Sequence, residues 1–166
     1  DTKKKYYYHL TDQQLEEDDN GNVLLLPMNG INRADDEPSG NRICVSTTPE
    51  GCFVAIPVWS GYDHFLYRTV NKITAKIPYD VGDAKVTGER WMPRKRQFKR
   101  VLTVETDSII SPYQCKNSLI SRICGIINQN YFDLGSGEEK HIKNQMICKK
   151  LIGKLPEIKQ LKESEK

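Results

Sequence analysis

The chain lacks any long hydrophobic run. Its 166 residues are 37% hydrophobic and 28% charged, and no apolar stretch approaches the roughly 18 residues that a membrane-spanning helix needs. Because no secretory signal is visible either, we expect a protein with no membrane partner, located in the cytoplasm. The composition is that of a globular protein, and the length suits one domain with a sizeable core.

The common motifs of nucleotide-binding proteins and hydrolases are also missing. Neither GxxxxGK[ST] nor a GxGxxG after a strand is present, which argues against a P-loop and against a Rossmann dinucleotide site. No HExxH or GxSxG occurs. The five cysteines include no CxxC pair and no Cys/His cluster at metal spacing, so we expect no bound metal and reduced, mostly buried thiols.

What is present is a series of short strands followed by helices. Lys5–Thr11 has the aromatic content of a strand, and Ile43–Ser46 is typical of a buried strand. Thr47, with Glu50 three positions later, predicts a helix cap directly after that strand. This order predicts an α+β fold rather than an alternating α/β fold.

Two amphipathic helices are predicted near the end of the chain, over Asn117–Asn128 and Glu138–Leu155. We therefore expect residues 1–116 to form an α+β core and residues 117–166 to form a helical extension packed on the same domain. The Lys- and Glu-rich terminus, Lys159–Lys166, is expected to be frayed.

The net charge of +3 is small, but the basic residues are concentrated in one place. Six of the eleven residues in "RWMPRKRQFKR" (Arg90–Arg100) are Lys or Arg. Such a run is typical of a solvated edge strand, where it discourages edge pairing. It is also consistent with an anion-binding patch, or with nucleic-acid binding in which Tyr6–Tyr8 stack on bases.

The tyrosine triplet is followed by a histidine, and strand alternation separates these side chains into two groups. Tyr6 and Tyr8 are expected on one face of the strand, and Tyr7 and His9 on the other. The triplet would then be divided between a packing face and a face that carries His9.

Three fragments combine side chains suited to catalysis or binding. "YYYHLT" ends a strand with His9 and Thr11, and "ICVSTTPEGCFVAI" joins a strand to a helix through Ser46 and Thr47. "VTGERWMPRKRQFKRVLTVE" places Glu89 at the start of a strand. Each fragment alone is most often structural: a surface or core histidine, a helix cap, a solvated ion pair.

In this order and spacing, the three fragments resemble the ADP-ribosyltransferase fold. The likeness runs from about Tyr6 to Glu105 and is closest to small bacterial and phage-type members such as the rifampin-modifying enzymes. It implies two small antiparallel sheets forming a cleft for NAD, a short helix after the second core strand, and two C-terminal helices that the family does not explain. NAD is implied as the substrate, from which ADP-ribose is transferred to an unknown acceptor such as a protein.

The resemblance also implies roles for individual residues in binding NAD. His9 would hydrogen-bond the ribose hydroxyls, with Thr11 nearby. Ser46 or Thr47 would support the nicotinamide–ribose side of the site. Arg90, or the neighbouring Arg94 or Arg96, would contact the pyrophosphate or an acidic partner.

For catalysis, the resemblance implies that Glu89 acts together with His9. Glu89 would bind the ribose 2′-hydroxyl and stabilise positive charge as nicotinamide leaves. Many members that begin with histidine have a stacking tyrosine in the middle strand, whereas this chain has Cys44 there. A non-catalytic regulatory module that binds a protein or a nucleotide on a similar scaffold is therefore the alternative.

Overall fold

The computed structural model describes residues 3–28, 41–55, 63–78, 82–104, 118–130 and 138–166. The described elements are six strands and five helices, which confirms the α+β class. In chain order they are β1 (Tyr8–Thr11), β2 (Asn22–Leu25), β3 (Ile43–Ser46), α1 (Pro49–Val54), β4 (His64–Thr69), α2 (Ala84–Thr87), β5 (Glu89–Met92), β6 (Arg96–Val104), α3 (Leu119–Asn130), α4 (Glu138–Gly153) and α5 (Pro156–Ser164). Within these ranges, no helix has the length and apolar character needed to cross a membrane.

The strands form one antiparallel sheet in the order β2-β6-β4-β1-β3-β5. The expected pair of separate sheets is therefore corrected to a single sheet. Its weakest joint lies between β1 and β3, which are paired through Tyr8 and Ser46 alone, whereas β1 pairs with β4 along its full length. A cleft lies beside this joint. The sequence analysis expected a cleft between two sheets, whereas this cleft lies within a single sheet.

Both faces of the sheet are covered, and the tyrosine triplet divides between them as predicted. Tyr7 is fully buried in a cluster with Tyr67 and Phe98. Tyr8 lies in a different cluster with Leu66, against which Tyr6 packs. The period of two along β1 thus sends neighbouring rings into different parts of the core.

Helix α1 begins one residue later than its sequence predicts. The side chain of Thr48, not Thr47, accepts the backbone N–H of Gly51 at 3.1 Å, and Pro49 occupies the first helical position. The backbone N–H of Thr47 donates to the carbonyl of Gly88 at 3.1 Å, so Thr47 extends the contact between β3 and the residue that precedes β5. The helix ends at Val54, with Ala55 as its C-cap.

The described part of the C-terminal region contains three helices rather than two. A break after Gly153 and a proline at the first position of α5 separate α4 from α5. The expected fraying of Lys159–Lys166 is wrong for most of this segment, since it is helical to Ser164 and Leu161 packs against the core. The boundary expected between residues 116 and 117 lies outside the described residues.

The helices share one hydrophobic core with α1 and the end of β6. Phe53 of α1, Ile123 of α3, Ile152 of α4 and Ile158 of α5 are fully buried in this cluster, together with Val104. Burial of each such side chain contributes about 1.5–3 kcal/mol. The terminal helices therefore support the helix that forms one wall of the cleft.

The very end of the chain is also held to the sheet by polar contacts. The hydroxyl of Tyr8 donates a hydrogen bond to the carboxylate of Glu165, and Arg68 Nη1 lies 3.6 Å from the same carboxylate. The Glu165 side chain is only 8% exposed. Burial and the Glu165 carboxylate raise the pKa of Tyr8.

Replacing Tyr8 by Phe is expected to make the protein less sensitive to alkaline unfolding. The raised pKa keeps Tyr8 protonated in the native state, whereas the unfolded chain releases this proton near pH 10. The stabilisation by Tyr8 is therefore complete below about pH 10 and is lost as the pH rises further. Urea unfolding should show Tyr8→Phe less stable by about 1 kcal/mol at pH 8. That difference should shrink above about pH 10; a constant difference would contradict the assignment.

Candidate functional site

The cleft beside the β1–β3 joint brings three of the predicted site residues together. It has a volume of about 160 Å³, and its lining includes His9 of β1, Ser46 of β3 and Glu89 of β5. These strands are neighbours in the sheet, in the order β1-β3-β5. Gly51 and Thr87 complete the wall from α1 and α2.

His9 is positioned by a side-chain contact that spans the diverging strands. Its Nδ1 donates to the backbone carbonyl of Cys44 at 2.8 Å, because a carbonyl oxygen can only accept. Burial lowers the pKa of His9, although the hydrogen bond to Cys44 opposes this effect. Near pH 7 the imidazole is therefore neutral, with Nε2 as an acceptor for a hydroxyl hydrogen.

Ser46 is a buried structural element of the cleft wall. Its Oγ donates to the carbonyl of Thr87 at 2.6 Å and accepts the backbone N–H of Thr48 at 3.2 Å. The hydroxyl proton is thus already used, and one acceptor lone pair remains. Ser46 ties β3 to the end of α2, which holds the start of β5 beside it.

Glu89 faces the cleft with its carboxylate already oriented. Glu89 is the register partner of Ser46, and its Oε2 accepts the indole N–H of Trp91 at 2.8 Å. The guanidinium of Arg42 lies 3.8 Å from the centre of the Trp91 ring, within cation–π range. Arg42 thus contacts Trp91, and Trp91 holds the carboxylate of Glu89. We call these two contacts the supporting chain of Glu89.

Sequence reasoning did not identify Trp91 as part of the site. The spacing of Glu89 and Trp91, two positions apart on one strand, was a usable signal in the sequence. Residues two apart on a strand point to the same face of the sheet. Arg42 was not detectable in this way, since it reaches Trp91 across paired strands.

The remaining predicted site residues lie outside the lining of the cleft. Thr11 Oγ1 accepts the backbone N–H of Gln13 at 3.2 Å, and Arg90 Nη1 donates to the carbonyl of Glu89 at 2.7 Å. Thr47 is engaged at the β3–α1 junction through its backbone. The structure thus brings together His9, Ser46 and Glu89 and leaves Thr11, Thr47 and Arg90 around this group.

Gly51 allows α1 to pack directly on the cleft wall. A Cβ atom at this position would lie 2.1 Å from the carbonyl oxygen of Thr87 and 2.4 Å from Ser46 Oγ. Both atoms belong to the hydrogen bond that closes the wall. A larger residue would therefore have to separate α1 from the β3–α2 connection.

Replacing Gly51 by Ala is expected to destabilise the protein by about 2 kcal/mol, because overpacking forces the backbone to move. Gly125→Ala in α3 is the matched control, since nothing lies within 4 Å of its added Cβ. There, alanine should stabilise the helix by about 0.5–1 kcal/mol. Urea unfolding of both variants measures these changes, and equal effects would contradict the assigned packing.

The basic residues of the segment Arg90–Arg100 have different environments in the structure. Arg94 and Lys95 are exposed between β5 and β6, and Arg96 is exposed at the start of β6, while Arg100 Nη2 pairs with Glu17 at 3.3 Å. Tyr7 and Tyr8 are buried, so the tyrosine triplet offers no continuous stacking surface for bases.

Comparisons of the chain with models of protein families, with curated proteins and with solved structures find no match. The resemblance to the ADP-ribosyltransferase fold therefore rests on the sequence of this chain alone.

Proposed function

We propose that the chain is an ADP-ribosyltransferase-like protein that uses NAD as substrate, with an acceptor that is not yet identified. The observation that supports this proposal is the convergence of His9, Ser46 and Glu89, from three neighbouring strands, on one cleft. These are the residues to which the sequence resemblance assigns ribose binding, support of the nicotinamide side and charge stabilisation.

The size of the cleft suits one end of the dinucleotide. A volume of about 160 Å³ is well below that of pockets that enclose a whole drug-sized ligand. We assign the cleft to the nicotinamide ring and its ribose, with the remainder of NAD lying outside it. The neutral His9 supplies an acceptor, Nε2, for a ribose hydroxyl.

In the proposed reaction, the bond between the ribose and the nicotinamide nitrogen breaks, and the bonding electron pair leaves with nicotinamide. The carboxylate of Glu89 accepts a hydrogen bond from the ribose 2′-hydroxyl. Its negative charge stabilises the positive charge that develops on the sugar. The acceptor atom then forms the new bond to the same sugar carbon and loses its proton. A fixed carboxylate in a partly buried cleft is suited to this role because it needs no reorientation during the reaction.

A binding module without catalysis is the alternative, and the position of Cys44 favours it. Cys44 is exposed and lines the cleft where the resemblance leads to a stacking aromatic ring. A thiol cannot stack on nicotinamide. A protein with this cleft would hold a nucleotide, or contact a protein partner, without turning NAD over.

Release of nicotinamide from NAD, measured by chromatography with and without a bacterial lysate as the source of acceptor, tests the proposal. If the protein is an enzyme, we expect nicotinamide release together with a rise in the melting temperature when NAD is added. NAD binding without release supports the binding module. The absence of both release and a change in melting temperature would overturn the enzyme and a module that binds NAD, and would leave a protein partner as the alternative.

A further inference from the structure

A second and larger cavity lies away from the cleft, between α1, α2, α4 and α5. Its volume is about 690 Å³, which is within the range of small-molecule sites. Helices α1 and α2 separate the two openings: Gly51 and Thr87 line the cleft, while their neighbours Glu50 and Val86 line the cavity.

The lining of this cavity is strongly basic. Among the described residues, the lining contains one carboxylate, Glu50, and the five lysines Lys85, Lys149, Lys150, Lys154 and Lys162. Glu50 is buried, with 4% of its surface exposed, and pairs with Lys162 at 2.5 Å. The other lysines therefore share an excess of positive charge that Glu50 does not neutralise.

The charge on these lysines is poorly compensated within the cavity. Burial and the nearby charges of Lys162 and Arg90 lower the pKa of Lys149, even though Glu50 acts in the opposite direction. A bound anion would reduce this repulsion and accept charge-assisted hydrogen bonds from the ammonium groups.

The cavity also has an apolar side, formed by Val86, Ile142 and Met146. Met146 is 58% exposed, so its side chain is accessible to a ligand in the cavity. A ligand with a phosphate end and a ring would contact both types of wall. The concave shape and the limited volume favour a small molecule over a nucleic acid, which needs an extended basic surface.

We infer that this cavity binds a small phosphorylated molecule of the nucleoside polyphosphate class, with the phosphates among the lysines and the ring against the apolar wall. This site is additional to the proposed NAD cleft and does not depend on it. Lys150 and Lys154 are the best residues to test, since both are exposed and neither pairs with Glu50 as Lys162 does.

The test compares two double variants that lose the same charge. Lys150→Gln/Lys154→Gln removes two lysines of the cavity, whereas Lys143→Gln/Lys159→Gln removes two exposed lysines from α4 and α5 that do not line it. Both should fold, because surface substitutions of this kind change stability by about 0.5 kcal/mol or less. The probes are ATP in the presence of a chelator, inorganic tripolyphosphate and adenosine, titrated by calorimetry.

We expect wild type to bind ATP more tightly than tripolyphosphate, and not to bind adenosine measurably. The cavity variant should bind ATP about 20-fold more weakly than wild type, and the control variant within about twofold. His9→Ala should leave ATP binding unchanged, which separates this cavity from the cleft. The inference is overturned by equal weakening in the two double variants, by no ATP binding near 1 mM, or by binding of a single-stranded oligonucleotide in place of ATP.

Discussion

Replacing Glu89 by Gln should lower the rate of nicotinamide release from NAD by about 1,000-fold. Glutamine keeps the size and the polar character of the side chain but removes the negative charge. If the carboxylate stabilises positive charge on the sugar, the loss affects the transition state far more than bound NAD. The melting temperature and NAD affinity should change little, because Glu89 lies at a cleft and not in the hydrophobic core.

Glu16→Gln is the matched control for this prediction. Glu16 is an exposed carboxylate in the segment between β1 and β2, outside the lining of the cleft. It should retain the rate of wild type within about twofold. A Glu89→Gln variant with unaltered release would remove Glu89 from the mechanism. If wild type itself binds NAD without releasing nicotinamide, and Glu89→Gln binds equally well, the binding module is the better description.

The elements that the sequence predicted well are those encoded by local pattern. Alternation in "YYYH" predicted that Tyr7 and Tyr8 would enter different clusters, and the structure confirms this. The apolar run at Ile43–Ser46 is a strand leading into a helix, as expected. Such features depend on neighbouring residues, whose periodicity is visible in the chain itself.

The features that were missed depend on contacts between distant segments. The helix is capped by Thr48 and not by Thr47, whose backbone N–H donates to the carbonyl of Gly88 in a distant segment. Lys159–Lys166 is expected to be frayed because it is rich in Lys and Glu, whereas most of it belongs to α5, which is anchored by the buried Ile158. The single joint between β1 and β3 was not predictable either, since strand order is set by long-range pairing.

Trp91 is a site residue that the sequence analysis missed, and its replacement tests the supporting chain of Glu89. Trp91→Phe keeps an aromatic ring beneath the Arg42 guanidinium but removes the indole N–H that holds Glu89 Oε2 at 2.8 Å. We expect kcat for nicotinamide release to fall by about 50-fold, because the carboxylate loses its fixed orientation. KM for NAD should stay within about twofold, since Trp91 acts through Glu89 and not on NAD.

A double-mutant cycle distinguishes this positioning role from a general loss of stability. If Trp91 acts through the Glu89 carboxylate, adding Trp91→Phe to Glu89→Gln should cause little further loss of kcat, because the charge to be positioned is already gone. A purely structural role would instead reduce the rates of wild type and Glu89→Gln by the same factor. A rise in KM with unchanged kcat would place Trp91 in direct contact with NAD, and the assigned chain from Arg42 through Trp91 to Glu89 would then be wrong.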